Sequence, residues 1–426
     1  MFLKLTENSY IKYKPSIYIY SLYKDGIRDS FVINETASSI LELCNGANTL
    51  DDIILLLKEK YNDTEENVRN NVIEFLQPFI NNEFVQEVET KNFANIIKGD
   101  KNIAYPEAIV WELTDYCPLN CRHCYLPKKN NNVFSKEEID NILDVIDRMG
   151  ISQVQLTGGE ALTHPHIDYI IHQFIKRGII TTISTSGMIL NDRILNALDE
   201  LKLVRGSCCK VSLDGNQTTH NYIRQNENSY NNAITFIKSI INRGIECQIG
   251  SVVLNQSKEE IEELTALVRD LGVSLLELTL IVDQGNAKQN QLQSNMSIQD
   301  FHAFLCEIKQ KYENSRFFLK TPCTLTQKNC GAGYTMICIK ANKNISPCPI
   351  LEMKLGNLKE EYIEDIIARC SINFQDLVAP CNETCGNCER YEICKSCIAQ
   401  ATINKDKVSN CKWYESENKL LKPYLN

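Results

Sequence analysis

Between residues 105 and 315, short apolar runs alternate with helical periodicity, and this alternation narrows the possible folds more than any other feature. Strand patterns fall at 108–113, 153–156, 179–184, 210–213, 248–254 and 275–280. Helical spacing occupies 135–149, 166–176, 191–201, 230–243 and 258–271 between them. A helix after each strand carries the chain back across the sheet, so the strands must be parallel. The expectation is an α/β sheet of six units, with working groups at the C-terminal strand ends.

The loop after the first of these strands reads Cys117-Pro-Leu-Asn-Cys121-Arg-His-Cys124-Tyr125. Three cysteines are one ligand short of the four thiolates that normally hold a [4Fe–4S] cube. The iron left over has an open position, and open positions are where metal sites do chemistry. A zinc knuckle with His123 as fourth ligand is the competing reading. His123 adjoins Cys124, which makes convergence on one ion awkward. Cysteine usage as a whole supports metal ligation. The chain has 19 cysteines in 426 residues, of which eleven lie between Cys323 and Cys411. Nothing resembles a secretory signal, and no apolar stretch approaches the ~20 residues needed to span a bilayer. The expected compartment is therefore cytoplasmic, where thiols stay reduced and bind metals rather than each other. Cys44, Cys208, Cys209, Cys247 and Cys306 are scattered and read as buried small hydrophobes. A formal net charge of −9 argues against general nucleic-acid or anionic-membrane binding.

The Cys-x3-Cys-x2-Cys loop resembles the signature of the radical S-adenosylmethionine (SAM) enzymes. That resemblance implies a partial (β/α)6 TIM barrel. It also implies a [4Fe–4S] cluster held by Cys117, Cys121 and Cys124, with SAM on the open iron as the source of a hydrogen-abstracting radical. Other motifs fit the same family. Thr157-Gly158-Gly159-Glu160 matches its Gly-Gly-Glu turn, placing Gly158, Gly159 and Glu160 at the methionyl amine. Ser184-Thr185-Ser186-Gly187 resembles the loop near the ribose, with Ser184 and Ser186 as contacts. Ser212-Leu213-Asp214-Gly215 matches a further motif, and with Arg224 it makes Ser212 a holder of the SAM carboxylate. Val252 to Asn255 stands where the family packs adenine, and Tyr125 offers backbone groups to the adenine edge. No side chain is singled out as general acid or base.

The first ninety residues read differently. Strand-type runs at 10–13, 17–22 and 29–33 precede three helical segments. Thr36 is expected to cap the first, Thr49 the second, and the third spans 64–80 with Pro78 near its end. This three-strand, three-helix, winged-helix-like order, with Phe31-Val-Ile-Asn-Glu-Thr-Ala37 and Leu41-x-Leu-Cys-Asn-Gly46, resembles the leader-peptide-binding chaperone of pyrroloquinoline quinone biosynthesis. The resemblance implies a groove between residues 28–33 and 69–79, in which a precursor leader adds a β-strand. A structural cap or a DNA-binding winged helix is the alternative, but no helix face clusters Arg or Lys.

Beyond residue 320, Cys330-x17-Cys348 and Cys385-x2-Cys388-x5-Cys394-x2-Cys397, followed by Cys411, resemble the SPASM domain, which carries two auxiliary [4Fe–4S] clusters. By position, Cys330, Cys338, Cys348 and Cys397 are expected to hold one cluster. Cys385, Cys388, Cys394 and Cys411 are expected to hold the other. Lys343 stands where the pattern has Gly, and the last spacing is x2 where x3 is usual. Cys381 competes as a ligand, Cys323 and Cys370 have no assignment, and paired zinc ribbons are the competing fold.

The expected organisation is a leader-binding domain at 1–90, a linker at 91–104, a radical SAM barrel at 105–315 and a SPASM domain at 316–426. The combination is similar to enzymes that crosslink ribosomally made peptides, above all thioether (sactipeptide or ranthipeptide) synthases. It implies SAM, three [4Fe–4S] clusters, a leader-bearing precursor peptide and an electron donor such as flavodoxin or ferredoxin. The alternatives are carbon–carbon crosslinking, epimerisation, sulfatase-type oxidation of Cys or Ser, and a non-catalytic iron–sulfur carrier.

Overall fold

The computed structural model of the chain describes residues 1–126, 130–320 and 328–425. The N-terminal part contains β1 (Phe2–Leu5), β2 (Tyr10–Lys14), β3 (Ile17–Lys24), β4 (Ile27–Ile33), α1 (Glu35–Leu43), β5 (Asn45–Thr49), α2 (Leu50–Tyr61), α3 (Glu65–Asn81), β6 (Val85–Val88) and β7 (Ile97–Gly99). The expected meander is β2–β4, α2 begins at its expected cap, Thr49, and α3 is capped by Thr64. The first helix starts earlier than expected. Asn34, not Thr36, is the cap, its side chain accepting from the Ala37 amide three residues on, which puts Thr36 inside the first turn.

Two elements depart from the sequence reading. Residues 2–5 pair with β5 and β6 in a second small sheet, burying Leu3 and Leu5. The stretch expected as a linker supplies β7, which pairs in parallel with β2. Both segments are too short for a periodicity to register. One core holds the unit together, including Ile11, Tyr20, Leu41, Ile53, Leu57, Val72 and Leu76.

The six expected parallel strands are β8 (Ala108–Thr114), β9 (Gln153–Gly158), β10 (Ile180–Thr185), β11 (Cys208–Ser212), β12 (Cys247–Val253) and β13 (Leu275–Leu280). Between them run α4 (Lys136–Met149), α5 (Ile167–Lys176), α6 (Asp192–Asp199), α7 (Gln217–Arg224), α8 (Ser229–Asn242) and α9 (Lys258–Asp270). Helix α7 had no expected counterpart: eight residues give little more than two turns of pattern. The region after the barrel completes the sheet on both sides. β14 (Phe318–Lys320) pairs in parallel with β13 and β15 (Met336–Ile339) with β8, and β16 (Asn344–Ser346) and β17 (Gly356–Asn357) continue antiparallel. The result is an open ten-stranded sheet, a partial barrel. Its core runs without a break from Trp111 and Phe174 into Ile366, Phe374 and Trp413 of the C-terminal region. Barrel and cysteine-rich region are thus one packed body, whereas the N-terminal unit keeps its own core.

The N-terminal unit caps the bottom of this barrel. Its contacts fall on loops that precede strands. Lys12 donates to Pro106 O at 2.9 Å, Gly150 O at 3.0 Å and Glu107 at 3.1 Å. Arg28, sandwiched between the rings of Tyr10 and Tyr23, donates to Gly178 O at 3.0 Å and Arg177 O at 3.2 Å. The Arg205 amide donates to Gly26 O in the β3–β4 turn. Burial pulls the Lys12 ammonium down to about 8, against the opposing pull of Glu107. Lys12→Ala removes the donor of the buried Pro106 carbonyl and leaves Gly150 O with the Tyr10 hydroxyl at 3.3 Å. It is expected to cost about 1–3 kcal/mol of stability and to open the 91–104 segment to limited proteolysis. An unchanged denaturation midpoint and cleavage pattern would show that Lys12 does not secure the cap.

Candidate active site

At the opposite, C-terminal end of the strands lies a cavity of 440 Å³. Cys117, Cys121, Cys124, Tyr125, Gly158, Gly159, Ser184, Ser186, Ser212, Arg224 and Val252 all line it. Five successive strand ends, β8 to β12, have brought the expected residues to one place. Glu160 and Asn255 do not line it. Asn255 is exposed, and the buried Gln256 behind it donates to Asp214 O at 2.7 Å and Val252 O at 3.0 Å instead. Glu160 is 1% exposed, and its carboxylate accepts from the Leu162 amide at 3.2 Å, the Ser186 amide at 2.8 Å and Ser186 Oγ at 2.5 Å. It stitches the second strand's loop to the third's.

The two glycines work in a way the sequence did not suggest. A Cβ on Gly158 would stand 2.1 Å from Thr114 O, and one on Gly159 2.2 Å from Tyr116 O. Their missing side chains therefore make room for the backbone that leads into the cysteine loop. That contact lets the Gly159 amide donate to Thr114 O and the Glu160 amide to Tyr116 O. Their other face is left to the cavity.

A short helix, α10 (Gly285–Gln289), clamps the cysteine loop from the far side. The Asn286 amide donates to Cys124 O at 2.8 Å, Asn286 Nδ2 to Cys121 O at 3.0 Å and Asn290 Nδ2 to Arg122 O at 2.8 Å. Gly285 has φ +54°, and a Cβ there would sit 2.4 Å from Cys124 O. Gly-Asn after the sixth strand was the available signal, but as a turn pair it is too common to single out.

Arg224 reaches the cavity from α7. Its Nε donates to Asp214 at 2.7 Å, and a terminal nitrogen lies 3.8 Å from Cys121 Sγ. Asp214 is fully buried and also accepts from the Val252 amide at 3.1 Å. Burial alone would raise its carboxyl, but Arg224, His123 and His220 hold it down at about 2. The pair leaves the guanidinium ionised with its outer edge toward the cavity, an arrangement suited to a carboxylate. His123 lines the same space with Nδ1 unpartnered, and burial lowers it to about 4. Lys210 and Glu277, ion-paired on the cavity wall, were not anticipated; Gly250 opposite leaves room for the lysine stem.

Tyr125 donates to the buried Glu112 at 3.0 Å, and Lys340 Nζ donates to the same carboxylate at 3.0 Å. This cluster separates the cavity from the C-terminal cysteines, which form two groups. Burial raises Cys348 to about 11, and Cys397 and Cys330 push the same way, so these three are electrostatic neighbours. Cys338, buried in β15, has Lys340, Glu112 and Cys348 around it. Cys385, Cys388, Cys394 and Cys411 line one narrow space with Trp413 and Tyr391. Cys381 stands beside Cys385, and Cys370 is buried in the helix Ile363–Asp376 near Tyr424. Cys323 lies outside the described residues. Lys343 has φ +72°, the left-handed conformation that favours glycine. Its Nζ bonds to Glu138 at 2.8 Å and Val133 O at 3.1 Å, which compensates for the strain.

The residues present fit an iron–sulfur cluster and SAM. Soft thiolates, a guanidinium and free backbone edges share one cavity of small-molecule size. Among the described residues no three His, Cys, Asp or Glu side chains converge on a single ion, whereas a cube distributes its cysteines over separate irons.

Comparison with known proteins agrees with this geometry. Residues 111–268 match the radical SAM superfamily, and residues 25–85 match coenzyme PQQ synthesis protein D (PqqD). The chain is 24% identical over 403 residues to the antilisterial bacteriocin subtilosin biosynthesis protein AlbA of Bacillus subtilis, covering 90% of this chain and 88% of the relative. It is also 24% identical over 328 residues to the AdoMet-dependent heme synthase of Methanosarcina barkeri, covering 70% and 92%. The fold is similar to that of Streptococcus suis SuiB bound to precursor peptide SuiA. The TM-score is 0.68 at 16% identity, over 96% of this chain and 98% of that one.

Proposed function

We infer that this chain, with a radical SAM domain behind a PqqD-type domain, modifies a ribosomally made precursor peptide, and that the modification is a thioether crosslink. The observation that carries the radical reading is the meeting of the three-cysteine loop, the Gly158–Gly159 turn and Arg224 around one cavity. Peptide modification rests on two further facts. The chain shares 90% of its length with a bacteriocin biosynthesis protein. Among the described residues β4 is the edge strand of its sheet, paired with β3, and Phe31 and Val32 on it are exposed. Unpaired amides and carbonyls there can hold an added strand.

Cys117, Cys121 and Cys124 would hold the cluster, with SAM lying against Gly158, Gly159, Ser212 and Arg224. When bound, the pair supplies a radical that removes a carbon-bound hydrogen from substrate. The protein's own part is placement. Arg224, fixed by Asp214, orients the carboxylate end of SAM. The α10 clamp and the Gly-Gly stitch fix the cysteine loop. The two C-terminal cysteine groups would hold auxiliary clusters, giving three in all, and a small electron-transfer protein such as flavodoxin or ferredoxin would reduce them.

The test is anaerobic reconstitution with SAM, a reductant and the precursor peptide. Formation of 5′-deoxyadenosine together with a loss of two hydrogens per crosslink is expected. A product of unchanged mass would replace thioether formation with epimerisation. The bottom-to-top arrangement adds a spacing requirement. Strand β9 has six residues, so leader site and cavity are at least ~20 Å apart. An extended chain needs roughly six or more residues to bridge that distance. Precursors with only two or three residues between the leader segment and the modified position should bind yet remain unmodified. Full modification of such a peptide would place the leader elsewhere.

A further inference from the structure

A second, polar chamber of 400 Å³ adjoins the cavity. Tyr125 and Gln284 line both spaces. The wall is continuous as well. Pro349 and Ile350 line the cavity, and Leu351 to Lys354, next in the chain, line the chamber. A peptide residue held in the chamber is therefore close to the residue held in the cavity.

The chamber carries more negative charge than its own cations neutralise. Glu112, Asp115 and Glu352 line it, against Lys340 and Lys354. Lys340 is committed to Glu112 at 3.0 Å, and Lys354 is drawn to Glu360, outside the lining, at 3.4 Å. Among the described residues Asp115 and Glu352 have no cationic partner and accept from amides of Asn132 and Gln284 instead. Carboxylates alone would mean little on a chain of net charge −9. What sets this group apart is the way Glu112 is held. It is 2% exposed, and its two donors, the Tyr125 hydroxyl and Lys340 Nζ, both converge on Oε1 at 3.0 Å. Oε2 has no hydrogen-bond partner among the described residues and is not sealed off, and the space that Glu112 lines is the chamber. A carboxylate only accepts, so an unbonded oxygen on so buried a residue marks a place for a donor.

We propose that the chamber is a substrate subsite, taking the cationic side chain of a precursor lysine or arginine near the residue being modified, with Glu112 Oε2 as its acceptor. The inference rests on the precursor being modified in the adjoining cavity and adds to that reading a side-chain preference. A hydrogen bond between two charged partners is stronger than a neutral one, and more so away from bulk water. A neutral side chain of the same length would leave Oε2 unpaired and the other two carboxylates uncompensated, which is how a buried polar site rejects an analogue. The competing donor is a peptide backbone N–H, which would show no dependence on side-chain charge.

The experiment uses the cluster-loaded full chain and synthetic precursor peptides in which each core lysine is replaced in turn by norleucine and each arginine by citrulline. One replacement is expected to lower kcat/KM for modification about ten-fold or more. Glu112→Gln keeps an acceptor for Tyr125 and Lys340 but removes the charge, so the same replacement should there cost little. Glu352→Gln should narrow the penalty part of the way. A purely structural role for either residue would slow both peptides equally. Iron content and circular dichroism confirm loading and folding, and Glu352→Gln carries the test if Glu112→Gln does not load. A precursor modified equally well without any core lysine or arginine overturns the inference, as does a penalty that is the same in wild type and the variants. Reductive SAM cleavage is followed in the same samples, and its absence in wild type overturns the radical reading, which is a separate result.

Discussion

Cys121→Ala is expected to abolish reductive SAM cleavage, leaving only the background of reductant and free iron. Cys121 is the middle cysteine of the loop, 8% exposed, with Arg224 3.8 Å from its sulfur and its carbonyl held by Asn286. Removing the thiol takes away one of the three ligands proposed for the open-site cluster. Losing one buried sulfur should leave the fold intact, because the loop and the segment leading into it are also secured by backbone bonds to Gly159, Glu160 and α10. Iron content should fall by about four atoms per chain, and iron at the clusters proposed for the C-terminal cysteines should stay. The readouts are 5′-deoxyadenosine by chromatography and iron by chemical assay. Undiminished cleavage by this variant would remove the basis of the radical reading.

Asp214→Ala is the second large effect, and it is read in stability. Asp214 is fully buried and holds the Arg224 guanidinium at 2.7 Å. Its removal leaves a buried charge without its partner, typically a loss of about 3–5 kcal/mol. The Val252 amide loses its acceptor as well. Chemical denaturation should show the shift, and SAM affinity should fall with it because Arg224 is no longer fixed. Asp214→Asn keeps an acceptor and should cost less. The pH dependence has a definite sign. The folded carboxyl lies at about 2, below the ordinary 3.8, so its contribution is complete above 3.8 and drains away as the pH falls toward 2. A variant as stable as wild type at pH 7 would mean that Arg224 finds another counter-charge.

Much of the site was legible because its chemistry is written in local spacing. The cysteine loop, the Gly-Gly turn and Ser212 are short motifs at strand ends, and parallel βα topology sends every strand end to the same face. Glu160 shows where that reasoning stops. Its place beside two glycines pointed to a ligand, whereas in the fold its carboxylate also ties Ser186 and Leu162 together, a role no local spacing shows. Asn255 and Gln256 are neighbours, and only packing against Asp214 determined which one turned inward. Lys210, Glu277 and Gln284 come from strands and a loop far apart in the chain, and none carries a motif.

The sequence by itself determined the alternation of strand and helix, the three-cysteine loop and the two C-terminal cysteine groups, because periodicity and cysteine spacing are properties of a few consecutive residues. Tertiary structure alone decided that the N-terminal unit sits beneath the barrel, opposite the cavity, and that the region after the barrel extends the sheet on both flanks. Those placements come from contacts such as Lys12 with Gly150 and β15 with β8. They join residues more than a hundred positions apart, and the burial that favours them exists only once both surfaces are folded.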